Sequence, residues 1–188
     1  MRKTRESQLA LAQRKKLLVK FARPFEQGSV YGYVMDIGPR FFLVSVVGND
    51  GVRFNGFSCF RLIDVRRLQV PHKYAAFIEA AQKKLGERTP RKPSLVVHSL
   101  KELLLSASRL FPVVTIHIEK VDPDVCYIGR IVDLNKDHVA LLEIGPDACW
   151  DKKPTSYRLR EITRVDFGGQ YEEALHLVGG GPTMRIRS

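Results

Sequence analysis

The chain has 188 residues, 44% of them hydrophobic and 27% charged, a balance that suits one ordinary globular domain or two small ones. No apolar run approaches the roughly 20 residues needed to cross a bilayer, and three widely spaced cysteines, Cys59, Cys126 and Cys149, suit reduced thiols better than a disulfide framework or a zinc site. The formal charge is +11. Residues 1–94 carry 19 Lys and Arg against 7 Asp and Glu, whereas residues 95–188 carry 12 against 13. This asymmetry fits an electrostatic footprint for a polyanion in the first half; a merely solvated basic surface fits it as well.

In chain order, the basic N-terminus lacks a continuous apolar stretch and a small-residue cleavage site, so it reads as mature, cytoplasmic sequence. A short helix, "ESQLALAQR", precedes the strand "LLVKFARP", in which Leu17, Val19 and Phe21 alternate inward. "VYGYVMDI", "FFLVSVV", "FSCFRL" and "DVRRLQV" continue as strands. Pro71 suits a first helical turn, followed by an apolar face of Tyr74, Phe77, Ile78, Ala81 and Leu85 and a stop at Gly86. "GERTPRKPS" is a basic linker. "SLKELLLSASRLF" opens with Ser99 and Glu102 at capping-box spacing and places Leu100, Leu103, Leu104, Ala107 and Leu110 on one face. "VVTIHIE" alternates as a half-buried strand with Thr115, His117 and Glu119 outward. "CYIGRIVDL", "DHVALLEI", "TSYRLRE" and "ITRVDF" supply four more strands, "QYEEALHLV" a closing helix, and "GGGPTMRIRS" a frayed tail.

The order of elements repeats. With an offset of 97, Leu17–Ile78 aligns without a gap to Val114–Leu175, keeping Gly32/Gly129, Asp36/Asp133, Arg61/Arg158, Arg67/Arg164 and Tyr74/Tyr171 identical. Apolar classes agree too, as at Val34/Ile131, Phe60/Tyr157 and Val65/Ile162. A duplicated unit follows. A helix and five short strands in about 75 residues suit a small barrel, with Gly32 and Gly129 as sharp bends inside the second strand of each copy.

"YIGRIVDLNKDHVALLEI" resembles the first motif of the Sm-like proteins: a glycine, apolar positions two and five residues on, then an apolar strand. The resemblance implies two tandem Sm-like five-stranded barrels, each preceded by an N-terminal helix, with a connecting helix between them. Residues 1–80 would form the first barrel domain, 81–94 the basic helix end and linker, 95–180 the second barrel, and 181–188 a flexible tail. Sm-like proteins commonly form rings that bind single-stranded RNA, and many relatives of the barrel act as protein-interaction modules. The base-reading positions are not matched. Gly38 and Phe42, then Asn135 and Val139, stand where RNA-binding members carry Asp and Asn, and the Arg-Gly step of the second motif is missing.

Chemistry-bearing constellations are few. His72, His98, His117, His138 and His176 have no paired ligand spacing. "GFSCF" lacks nucleophile-elbow spacing, and "GGGPT" is not followed by a phosphate-loop Lys and helix. Asp122, Asp124, Asp133 and Asp137 lack EF-hand spacing and read as solvated loops. Asp36 and Asp133 suit turn-holding side chains. Trp150 is either an exposed interaction residue or a loop anchor. The basic clusters are Arg14, Lys15, Lys16 and Lys20, then Arg66 and Arg67, then Lys83, Lys84, Arg88, Arg91 and Lys92. Cations spaced along a surface are what phosphates require, and stacking of bases requires exposed aromatics, for which Tyr31, Tyr33 and Phe57 are the candidates. The expectation is a non-enzymatic protein without metal or cofactor that binds nucleic acid, RNA first, through those eleven residues. The rivals are a protein-interaction or self-assembling module and a small-ligand sensor with a cavity between the barrels.

Overall fold

The computed structural model describes residues 4–182; residues 183–188, most of the expected tail, lie outside the described part. Helix α1 (Arg5–Lys15) leads to strands β1 (Leu18–Ala22), β2 (Val30–Ile37), β3 (Phe41–Val47), β4 (Phe54–Arg61) and β5 (Arg66–Gln69), then α2 (Ala75–Lys84). The second copy runs α3 (Leu100–Leu110), β6 (Val114–His117), β7 (Cys126–Leu134), β8 (His138–Glu143), β9 (Thr155–Arg158), β10 (Arg164–Phe167) and α4 (Gln170–Gly179). Among the described residues no helix is long and apolar enough to cross a membrane.

All ten strands belong to one open sheet in the order β5-β1-β2-β3-β4-β10-β6-β7-β8-β9, and every pairing is antiparallel. This corrects the expectation of two closed, separate Sm-like barrels. Each copy does contribute five neighbouring strands in the same order, but its last strand does not return to close on its fourth. Instead β4 pairs with β10 of the other copy, Phe60 opposite Arg164 and Phe57 opposite Phe167. Backbone groups along β4 that a barrel would satisfy internally are satisfied across the repeat boundary. The free edges of the sheet are therefore β5 and β9.

The apolar interior is likewise shared. One cluster stays in the first copy, with Leu9, Phe21, Phe42 and Phe60. The largest cluster crosses the boundary, joining Leu43 and Cys59 of β3 and β4 to Leu95 and Val97 of the linker's end, Leu103 and Leu104 of α3, and Val165 of β10. Glycine at 32 and 129 is demanded by close approach: a Cβ at either place would lie 2.3 Å from the carbonyl oxygen of Ser45 or Leu142 on the adjacent strand.

Local expectations fare unevenly. Ser99 caps α3 as its spacing implies, its Oγ accepting from the Glu102 N–H at 3.2 Å, while its hydroxyl donates to the Glu102 carboxylate at 2.8 Å. Pro71 is not in a helix; α2 starts at Ala75. Of that helix's expected apolar face Ile78 is buried, whereas Phe77 is 69% and Tyr74 58% exposed. Thr115 and Glu119 are buried rather than outward, Thr115 donating to Glu172 of α4 at 2.7 Å and Glu119 accepting from Arg23.

A buried ionic network fastens the copies. The Arg23 side chain is fully buried; its Nη1 donates to Glu26 Oε1 at 2.5 Å and to Glu119 Oε1 at 2.9 Å, and its Nη2 donates to Glu119 Oε2. Thr163 Oγ1 donates to Glu119 at 2.6 Å. Arg164 reaches Glu26 at 2.9 Å and Asp166 at 2.7 Å, and His117 Nε2 lies 2.8 Å from Asp166. Both guanidinium groups sit over Phe60, at 5.0 and 5.4 Å from its centroid. Burial opposes ionisation of Glu119, but the bonds from Arg23 and Thr163 overcome it and hold the carboxyl below its usual range. Asp166 is held low in the same way, burial being overcome by Arg164 and His117.

Carboxyls depressed in the folded state contribute stability that is complete above the unfolded carboxylate range, roughly pH 4, and is lost as pH falls toward the depressed values. The urea midpoint is therefore expected to hold from pH 7 to about pH 5 and to fall steeply by about pH 3. An equal midpoint at pH 7 and pH 3 would contradict this role for the network.

Candidate nucleic-acid interface

Ten of the eleven cations singled out in the sequence are exposed and Lys20 is half-buried. The fold distributes them over three places. Arg14, Lys15 and Lys16 end α1, and Lys83 and Lys84 end α2; Lys16, Lys83 and Arg88 converge on one cleft. Arg66 and Arg67 lie on β5, the free sheet edge, and Lys20 lies on β1 next to it. Arg91 is exposed in the linker, and Lys92 forms an ion pair with Asp36 at 2.6 Å. Lys92 is the one member of the eleven that forms an ion pair among the described residues.

The β5 edge is where cations meet aromatic rings. Tyr31 on β2, His72 and Tyr74 form a chain of edge-on contacts with centroids 5.2 and 5.5 Å apart. Lys20 Nζ lies 5.1 Å from the centre of the Tyr31 ring and Lys73 Nζ 4.6 Å from that of Tyr74. His72 Nδ1 contacts Gln69 Oε1 at 3.1 Å. Burial, then the charges of Lys20 and Lys73, push the imidazole pKa down, so the ring stays neutral at pH 7 and the positive charge rests on the lysines and on Arg66. Arg66 is held at the edge by Nη1 donating to Ile63 O at 2.7 Å.

Lys73 is not singled out by the sequence, in which Tyr74 reads as part of an apolar helix face and His72 only as an unpaired histidine. The dipeptide Lys73-Tyr74 beside an interrupted apolar pattern was the available signal. Of the aromatics expected to be exposed, Tyr33 is buried beneath α2 with Ile78, and Phe57 packs on Phe111 and Phe167. Tyr31 is half-buried.

Elsewhere, Asp36 Oδ1 accepts from the Ile37 N–H at 3.0 Å. Trp150 is a loop anchor: its Nε1 donates to the carbonyls of Gly179 and Gly180 at 3.3 and 3.2 Å. The three cysteines are free. Among the described residues no three His, Cys, Asp or Glu side chains gather as a metal site. Comparison with family models, with curated proteins and with solved structures finds no match for this chain.

Proposed function

We propose that the protein binds single-stranded nucleic acid, RNA first, along the β5 edge of the first copy. The observation that carries the reading is the pairing of cations with aromatic rings there, Lys20 against Tyr31 and Lys73 against Tyr74, with Arg66 further along β5 opposite Ala22. Phosphates pair with the cations, and the exposed face of Tyr74 offers a base a stacking surface, a contact worth about 1–3 kcal/mol. The Sm-type base-reading residues are absent, so recognition rests on backbone charge and stacking and tolerates many sequences.

Size-exclusion chromatography of the protein from cells, with and without nuclease, tests the reading. Absorbance at 260 nm should travel with the untreated protein and disappear after nuclease. A protein peak free of nucleic acid at low salt without treatment would count against it and favour a module that binds only proteins.

A further inference from the structure

The duplication supplies an internal control for one cleft. In the second copy the end of α4 is sealed: Trp150 donates to the carbonyls of Gly179 and Gly180, and a Cβ on Gly179 would lie 2.5 Å from Ala148 O. In the first copy Arg53 stands at the position of Trp150, and α2 ends at Lys84 where α4 ends at Gly179. There the end of α2 borders an open cleft of about 520 Å³, within the size range of small-molecule sites.

The floor of this cleft is a buried, hydrogen-bonded side-chain pair. Gln82 is buried; its Oε1 accepts from the Tyr33 hydroxyl at 3.1 Å and its Nε2 donates to Val52 O at 2.8 Å. Burial and the charge of Glu79 push the Tyr33 hydroxyl up to about 12, so it remains a donor. The walls carry Lys16, Lys83 and Arg88 on one hand and Glu79 and Glu87 on the other. None of these five forms an ion pair with another described residue.

We infer that this cleft binds a nucleoside monophosphate unit. Three cations line the cleft and can neutralise a phosphate dianion there. The two carboxylates are acceptors for sugar hydroxyls or a base amino group, the role an acidic side chain plays toward ribose. A bare phosphate satisfies the first set only and is repelled by the second. The unit can be a free nucleotide or the phosphorylated end of a strand. The cleft lies at the C-terminal end of α2, whereas Tyr74 and Lys73 lie at its N-terminal end, so the site does not depend on strand binding at the β5 edge.

Calorimetric titration of the full chain with AMP, adenosine and inorganic phosphate tests the inference. AMP should bind saturably and more tightly than either fragment. Lys16→Ala/Arg88→Ala, whose folding is checked by circular dichroism, should weaken AMP at least about tenfold, the loss of one to two charge-assisted bonds. Glu79→Gln should narrow the preference for AMP over phosphate. A lack of saturation by roughly 5 mM AMP, an affinity unchanged in the double variant, or phosphate binding as well as AMP would overturn it. Oligouridylates with and without a 5′-phosphate separate the sources. A phosphate-dependent affinity lost in Lys16→Ala/Arg88→Ala identifies a strand end, and equal affinities identify the free nucleotide. Loss of strand binding in edge variants with AMP binding intact would sink the strand reading alone.

Discussion

Replacing Arg23 with alanine is expected to destabilise the fold by about 3–5 kcal/mol, the cost of removing one partner from a buried ion pair. Glu119 is 5% exposed in its side chain, and without the guanidinium it keeps only the Thr163 hydroxyl. Domains of this size are stable by about 5–15 kcal/mol, so the variant should sit close to its unfolding transition. Arg23→Lys keeps the charge yet loses the forked donation to Glu26 and Glu119, and should recover only part of the loss. Arg23→Met/Glu119→Met removes both charges together and should be markedly more stable than Arg23→Ala, because no buried carboxylate is then left unpaired. Urea midpoints of the four proteins decide the matter. A midpoint for Arg23→Ala equal to that of the parent would show that the network does not hold the two copies together.

The second large effect concerns binding. Lys20→Glu/Arg66→Glu/Lys73→Glu reverses the charge of the β5 edge without touching a buried apolar residue or a ladder hydrogen bond, so the fold should survive. Each lost phosphate contact lowers the dependence of log K on log salt by about 0.7 for a single strand. The triple variant should therefore bind a short oligouridylate at least tenfold more weakly at about 50 mM salt and show a shallower slope. Tyr74→Ala should weaken binding through stacking, by about 1–3 kcal/mol, and leave the slope unchanged. Charge and stacking are thereby separated in one series.

Much of the local structure was legible in the chain, and the reasons differ by element. Strands β2 and β3 have the bounds that their runs "VYGYVMDI" and "FFLVSVV" imply, since both lie between neighbours and carry β-branched and aromatic residues throughout. Ser99 and Glu102 marked the start of α3 through chemistry confined to one turn. The repeat was legible because it preserves residue class at a fixed offset. Closure was not. Whether β4 pairs with its own β5 or with the other copy's β10 depends on partners far apart in the chain, and no periodicity in "FSCFRL" distinguishes the two. The same limit hid the ionic network: Arg23 and Glu119 are separated by 96 positions, and each alone resembles an ordinary surface charge. Among candidate site residues, Lys20, Arg66 and the Lys16–Lys83–Arg88 group were visible as charge runs. The pairing of Lys92 with Asp36 was not legible, because it follows only from the path of the linker.

Anisotropy of a labelled oligouridylate, titrated with the parent protein and the β5-edge triple variant across a salt series, tests the central claim most directly. The account predicts binding by the parent at about 50 mM salt that weakens steeply as salt rises, and a weaker, less salt-dependent isotherm for the variant. Equal isotherms for the two proteins, or no binding by the parent at the lowest salt, would contradict it.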